Sequence, residues 1–215
     1  MIASYVLNLD RRKDKWEKAK QRFEKTCLIP SRFSAVDGSC PNFQKEHKDT
    51  TFKSFGTLAC LLSHIKILED AVTNKHENIA VFEDDVVFSK NFNLDFLKNF
   101  NNWGLIYLGA SQVKWNNIEI KQNYYHPNDT LGTWAMLINC SMYDRLLTAY
   151  KKMEASADLT LAKELNNDPN CYVIYPNLCM ADVSSSDIRE YKMDQNNFNN
   201  KCKWDLDLYN FHQTN

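Results

Sequence analysis

None of the seven cysteines forms a CxxC pair, and the 215-residue chain has no apolar run of the length, about twenty residues, that a membrane span needs. The missing CxxC argues against zinc. An odd, dispersed set (Cys27, Cys40, Cys60, Cys140, Cys171, Cys179 and Cys202) also reads as reduced thiols, not a disulfide framework. Glycine and proline number five each, too few for a disordered or low-complexity chain. No charge sign dominates: 26 basic and 27 acidic side chains leave a net charge of −1, so no global field draws nucleic acid. Met1 to Asp10 enters a strand-like run directly, without the basic region and cleavage site of a signal peptide. The expected location is cytoplasmic (host cytoplasm if the source is viral), and the sequons at Asn128 and Asn139 are then chance matches.

A hydrophobic fraction of 44% and an aromatic fraction of 13% fit one well-packed domain. Ala3 to Leu9 reads as a buried strand, and Arg11 to Lys25 as a helix with Trp16, Ala19 and Phe23 on one face. Ser31 to Gly38 reads as a short extended piece ending in a turn, and Cys40 to Lys53 as a mobile loop. After Gly56 a long helix is predicted, with Leu61, Leu62, Ile65, Leu68 and Val72 as its stripe. Further strands are predicted at Leu105 to Leu108, Trp134 to Ile138 and Tyr172 to Tyr175. Ser141 and Asp158 are expected to cap two helices. Strands alternating with helices predict an α/β domain with a mainly parallel central sheet over residues 1–190, and 191–215 reads as a polar tail or wrap.

The chemistry concentrates in Ile79 to Phe88, where Glu83, Asp84 and Asp85 interrupt an apolar run. Clustered carboxylates in such a setting cost several kcal/mol unless neutralised, and a hard divalent cation is the usual neutraliser. Read as one strand, the run puts Glu83 and Asp85 on one face and Asp84 on the other. The pair then shares a metal, or divides between metal and a ribose hydroxyl; the plainer alternative is a helix cap or lysine salt bridges. Arg11 and Arg12, in the run Asn8-Leu9-Asp10-Arg11-Arg12, stand where the first strand gives way to the first helix, suited to phosphate oxygens or simply to a solvated helix start.

The runs Leu7 to Arg12, Gly56 to His64 (GxxxCxxSH) and Phe82 to Val86 together resemble glycosyltransferase family 25. That family includes bacterial lipooligosaccharide and procollagen galactosyltransferases. Leu105 to Gly109, Gly132 to Ile138 and Ser186-Asp187-Ile188 continue the resemblance in order, over roughly residues 1–190. It implies a GT-A-type fold, a nucleotide-sugar donor (a UDP-sugar), a glycan or protein acceptor, and Mn²⁺ or Mg²⁺. It also implies that Asn8, Leu9, Arg11, Arg12, Glu83, Asp84 and Asp85 face the donor. Glu83 and Asp85 then belong to the metal site. Asp182 stands near where the family often carries a Gln or His; either it replaces a metal ligand there or that ligand is missing. An inverting transfer of galactose or glucose needs one base, for which Asp158 is the first candidate and Asp187 and Asp182 are rivals. Two other readings compete: a catalytically silent nucleotide-sugar-binding module, and a metal-dependent phosphoryl or nucleotidyl enzyme.

Overall fold

Ala3–Asn8 (β1) is buried along nearly its whole length, and its side chains alternate between two cores. Tyr5 and Leu7 enter one and Val6 the other, as the period of two requires. In this computed structural model, which describes residues 2–185, 187 and 194–209, β1 pairs in parallel with Pro30–Ser34 (β2) and Asn78–Glu83 (β3). Ala135–Asn139 (β7) runs antiparallel to β3 and to Leu105–Tyr107 (β5). Cys171–Ile174 (β8) runs parallel to β5, and Tyr124–Tyr125 (β6) closes the far edge antiparallel to β8. The sheet order is β2-β1-β3-β7-β5-β8-β6, and only β7 and β6 oppose the common direction.

Helices cover both faces. Phe55–Thr73 (α3), Tyr143–Lys151 (α4) and Ala157–Glu164 (α5) pack Leu61, Leu68, Leu146 and Leu161 against the Tyr5 face. Lys13–Phe23 (α1) supplies Ala19 and Phe23 to the Val6 face. There Phe23 meets Phe82 and Phe88 edge-on at centroid distances of 5.1 and 4.8 Å. Such aromatic pairs contribute about 0.5–1.5 kcal/mol beyond their buried area. This is the expected α/β class, a mainly parallel sheet flanked by helices.

Several local expectations change. Ile79 to Phe88 is not one strand: β3 ends at Glu83, Asp84 and Asp85 turn the chain, and Val86–Phe88 (β4) pairs with Cys179–Ala181 (β9) in a separate two-stranded sheet. The two-face argument for the acids therefore fails, because it holds only within a continuous strand. Cys40 to Lys53 contains a short helix, Pro41–Glu46 (α2), begun by a proline that needs no amide partner in the first turn. Val72, placed on the stripe of α3, is 45% exposed. The residue at the N-cap of α5 is Ser156, and Asp158 lies inside its first turn. Ser141 sits in a 3₁₀ turn before α4, its amide donating to the Asn139 side chain.

Gln195–Cys202 (α6) and the segment after it pack on the second core through Cys202, Trp204 and Tyr209. Trp204 Nε1 and Tyr209 Oη donate to the Asn177 side chain and carbonyl at 2.8 and 2.7 Å. Among the described residues no helix is long and apolar enough to cross a membrane.

Candidate functional site

β1 and β3 are parallel neighbours with Leu7 opposite Glu83, so Asn8 and Glu83–Asp85 leave the sheet side by side at its carboxyl edge. Ligands bind at such edges in α/β sheets, most readily where strand direction changes, and β7 changes it next to β3. Asn8 is buried and joins the two strand ends. Its Nδ2 donates to Asp84 Oδ2 at 2.7 Å and to the Arg12 carbonyl at 2.9 Å, and its Oδ1 accepts from Arg32 Nε at 2.8 Å.

A cavity of about 300 Å³ opens here. Its walls are Asn8, Leu9, Arg11, Lys15, the carboxylate turn and Asp187, closed opposite by the Asp37-Gly38 turn against the start of α3. Gly38 is required at that closure: a Cβ there would stand 2.5 Å from the Phe55 carbonyl oxygen. The basic residues converge on one acid. Arg11 Nη1, Arg12 Nη1 and Lys15 Nζ reach the Asp187 carboxylate at 3.0, 2.6 and 2.7 Å. Against burial, which raises it, the Arg12 and Lys15 hydrogen bonds bring the Asp187 carboxyl down to about 2. Lys15, 8% exposed, also stands 3.7 Å from Asp84.

A second cavity of about 740 Å³ lies beyond the same wall. Cys60, Glu83 and Asp85 border both cavities, and Asp158, Thr133, Trp134 and Glu154 border the second. Gly132 lies under the Trp134 ring at φ +103°, a conformation and a contact that leave no room for a side chain.

The three acids differ in environment. Glu83 Oε1 accepts from Thr133 Oγ1 at 2.6 Å and lies 3.6 Å from His64 Nε2. Burial raises the Glu83 carboxyl, and His64 and Thr133 outweigh it, leaving it below its usual range. Burial pushes Asp84 up. Burial and the charges of Glu83 and Asp84 push Asp85 up to about 8. Asp85 Oδ1 is buried with no hydrogen-bond partner among the described residues.

The expected ligand set Glu83, Asp85 and Asp182 is not assembled: Asp182 Oδ2 accepts from Arg22 Nη2 at 3.2 Å and Oδ1 from Ser184 Oγ at 2.5 Å. Only its backbone meets the acidic turn, its amide donating to the Asp85 carbonyl at 2.9 Å. Among the described residues, the group of ligand atoms that does converge, all within 4.8 Å of one another, is Cys60, His64 and Glu83. Among the three candidate bases, Asp158 alone borders the second cavity, Asp187 sits among cations in the first, and Asp182 lines neither. Asp158 Oδ1 accepts from Ser156 Oγ and the Leu159 amide at 2.6 and 2.9 Å. Ser186 and Ile188 lie outside the described residues. Sequence reasoning missed Lys15, Thr133 and Arg32; Lys15 is one helical turn from Arg11 and Arg12, the one signal that pointed to it.

The curated relatives are similar to this chain over only part of their own length. A glycosyltransferase 25 family member of Aedes aegypti is 30% identical over 129 residues, 51% of this chain and 21% of that protein. A protein of Rattus norvegicus named a probable inactive glycosyltransferase 25 family member 3 is 38% identical over 80 residues, 34% of this chain and 14% of that one. The chain thus matches no more than about a fifth of the length of these two curated relatives. The crystal structure of a glycosyltransferase involved in the glycosylation of the major capsid of PBCV-1 aligns with 12% identity and a TM-score of 0.49, covering 86% of this chain and 94% of that one. Residues 1–131, more than half of the sequence, match the family described as glycosyltransferase family 25 (LPS biosynthesis protein), and the chain belongs to that family.

Proposed function

We propose that this chain is a GT-A-type, metal-dependent inverting glycosyltransferase domain, moving a hexose from a nucleotide-diphosphate sugar, a UDP-sugar, to a hydroxyl of a glycan or protein. The observation that carries this reading is the pair of cavities meeting at one carboxylate wall, with cations lining the first and Asp158 the second. In the first, Arg11 and Lys15, with Arg12 behind them on Asp187, present positive charge to a diphosphate. The second is the acceptor side. There Asp158 takes the proton of the acceptor hydroxyl as its oxygen bonds to the anomeric carbon and the bond to the diphosphate oxygen breaks. A positioned base of this kind contributes about 10²–10⁴-fold.

The donor set fits a hard divalent cation such as Mn²⁺ or Mg²⁺. Asp85 and Glu83 offer carboxylate oxygens, and the orphaned Asp85 Oδ1 is the atom a cation would satisfy. When bound, such an ion would supply positive charge against the negative charge developing on the departing diphosphate. Asp84, tied to Asn8 and near Lys15, fixes the turn that aims Asp85. Asp187 we assign to positioning, because a carboxyl held near 2 by Arg12 and Lys15 is a poor proton acceptor.

A second reading, donor binding without transfer, is favoured by the name of the rat relative, a probable inactive glycosyltransferase 25 family member 3. Incubation with a panel of nucleotide sugars and Mn²⁺, reading the released nucleoside diphosphate, separates the two. Slow release from one donor, abolished by chelator, is the expected result. Binding without release supports the silent module, and cleavage between the phosphates would replace both readings with a nucleotidyl enzyme.

A further inference from the structure

Cys60 and His64 lie one helical turn apart on α3, at the i, i+4 spacing that sets two side chains on one helix face. That face looks at the carboxyl end of β3, where Glu83 completes the trio. His64 is 3% exposed, and its Nε2 is buried with no hydrogen-bond partner among the described residues. A buried nitrogen left without a partner is destabilising, so a ligand that engages it is favoured. The separation of His64 Nε2 from Glu83 Oε1, 3.6 Å, is too long for a hydrogen bond. It is close to the ~3.3–3.5 Å that separates two N/O ligands around a tetrahedral ion with bonds of about 2.0–2.1 Å.

We propose that Cys60, His64 and Glu83 form a binding site for a soft or borderline divalent cation, Zn²⁺ above all, which shares Glu83 with the hard-cation position at Asp85 and competes with it. A thiolate, an imidazole and one carboxylate are the donor chemistry such ions select over Mg²⁺ or Mn²⁺. Cys60 borders both cavities, which gives its sulfur room to close on the ion and the ion a path inward. Binding replaces the S–H bond of Cys60 with a sulfur–metal bond, and the proton leaves to solvent. The fourth coordination position faces the cavities and takes water. The absence of CxxC pairs excludes a zinc site closed by two cysteine knuckles, not one assembled from a helix face and a strand end. A filled site engages Glu83, so Zn²⁺ acts as an inhibitor of whatever chemistry the shared wall performs. The binding claim itself is independent of that chemistry.

The test is Co²⁺ titration of the metal-free full chain, followed by Zn²⁺ competition. One equivalent of Co²⁺ should give a thiolate-to-cobalt charge-transfer absorption that Zn²⁺ abolishes. The band should vanish in Cys60→Ala, and His64→Gln should weaken Co²⁺ binding by at least about 10–100-fold. It should persist when the exposed Cys27, Cys40 and Cys140 are together changed to serine. No charge-transfer band in the wild type, or one that survives Cys60→Ala, overturns the proposal. Should the α3 variants fail to fold by circular dichroism, zinc-edge anomalous diffraction from the Zn²⁺-soaked wild type decides. A peak between Cys60, His64 and Glu83 supports the site, and a peak elsewhere or none refutes it.

Discussion

Asp158 is the residue on which the proposed chemistry turns, because of the three candidate bases it is the one that borders the second cavity, and Asp187 and Asp182 are held by cations instead. Asp158→Asn should lower transfer to acceptor by about 10²–10⁴-fold, the span a positioned base contributes. Donor affinity should stay unchanged, since proton removal matters only once the acceptor attacks. Stability should shift by no more than about 0.5 kcal/mol, because Ser156, not Asp158, occupies the N-cap. Calorimetric donor binding set beside turnover decides it, and retained turnover moves the base elsewhere. The importance of the acids was legible in the sequence, because charge inside an apolar run is costly wherever it lies. Their partners were not. Nothing in the order of residues says that Asp182 turns to Arg22, or that three cations gather on Asp187, since those contacts join segments about 160 to 176 positions apart.

At the scale of elements, short apolar runs located β1, β5, β7 and β8, and an apolar stripe the long helix α3, to within a few residues. It failed at Ile79 to Phe88 for a physical reason. β3 and β4 are both apolar and buried, and the turn between them is made of acids, without the glycine, proline or asparagine that usually marks a turn. Two-residue β6 and three-residue β9 are too short to carry a periodicity. The β1-to-α1 connection is an element-scale device, delivering Arg11 to the first cavity with Arg12 behind it on Asp187, and seating Lys15 one turn later. Arg11→Ala should raise the donor KM roughly tenfold or more while changing kcat little. A hydrogen bond to a charged group contributes about 1.5–3 kcal/mol, and 1.4 kcal/mol is tenfold. The same KM in Arg11→Ala and Arg12→Ala as in wild type would reduce both to a charged helix start.

At the scale of the whole molecule, the fold gathers Glu83, Asp84 and Asp85 at one sheet edge with Lys15 as their near cation, and stability must register that cost. In the unfolded chain Asp85 titrates near the ordinary carboxyl value of about 4, whereas in the folded chain burial, Glu83 and Asp84 hold it at about 8. Between those values the folded state binds the extra proton, so its contribution to stability is full below about pH 4 and is lost as pH rises through about 8. Glu83, held low, acts in the opposite sense, but only on the acid side of its ordinary range. The Tm of the metal-free protein should therefore fall from pH 5 to pH 8.5 more steeply in the wild type than in Asp85→Asn, which carries no ionisable group there. Mn²⁺ should flatten the wild-type curve, because a bound cation favours the ionised carboxylate and stabilises by mass action. The same variant should lose divalent binding and transfer together while staying folded. Parallel wild-type and Asp85→Asn curves over that interval would mean that Asp85 ionises like a surface acid. The case for a cation beside its orphaned oxygen would then fall with it.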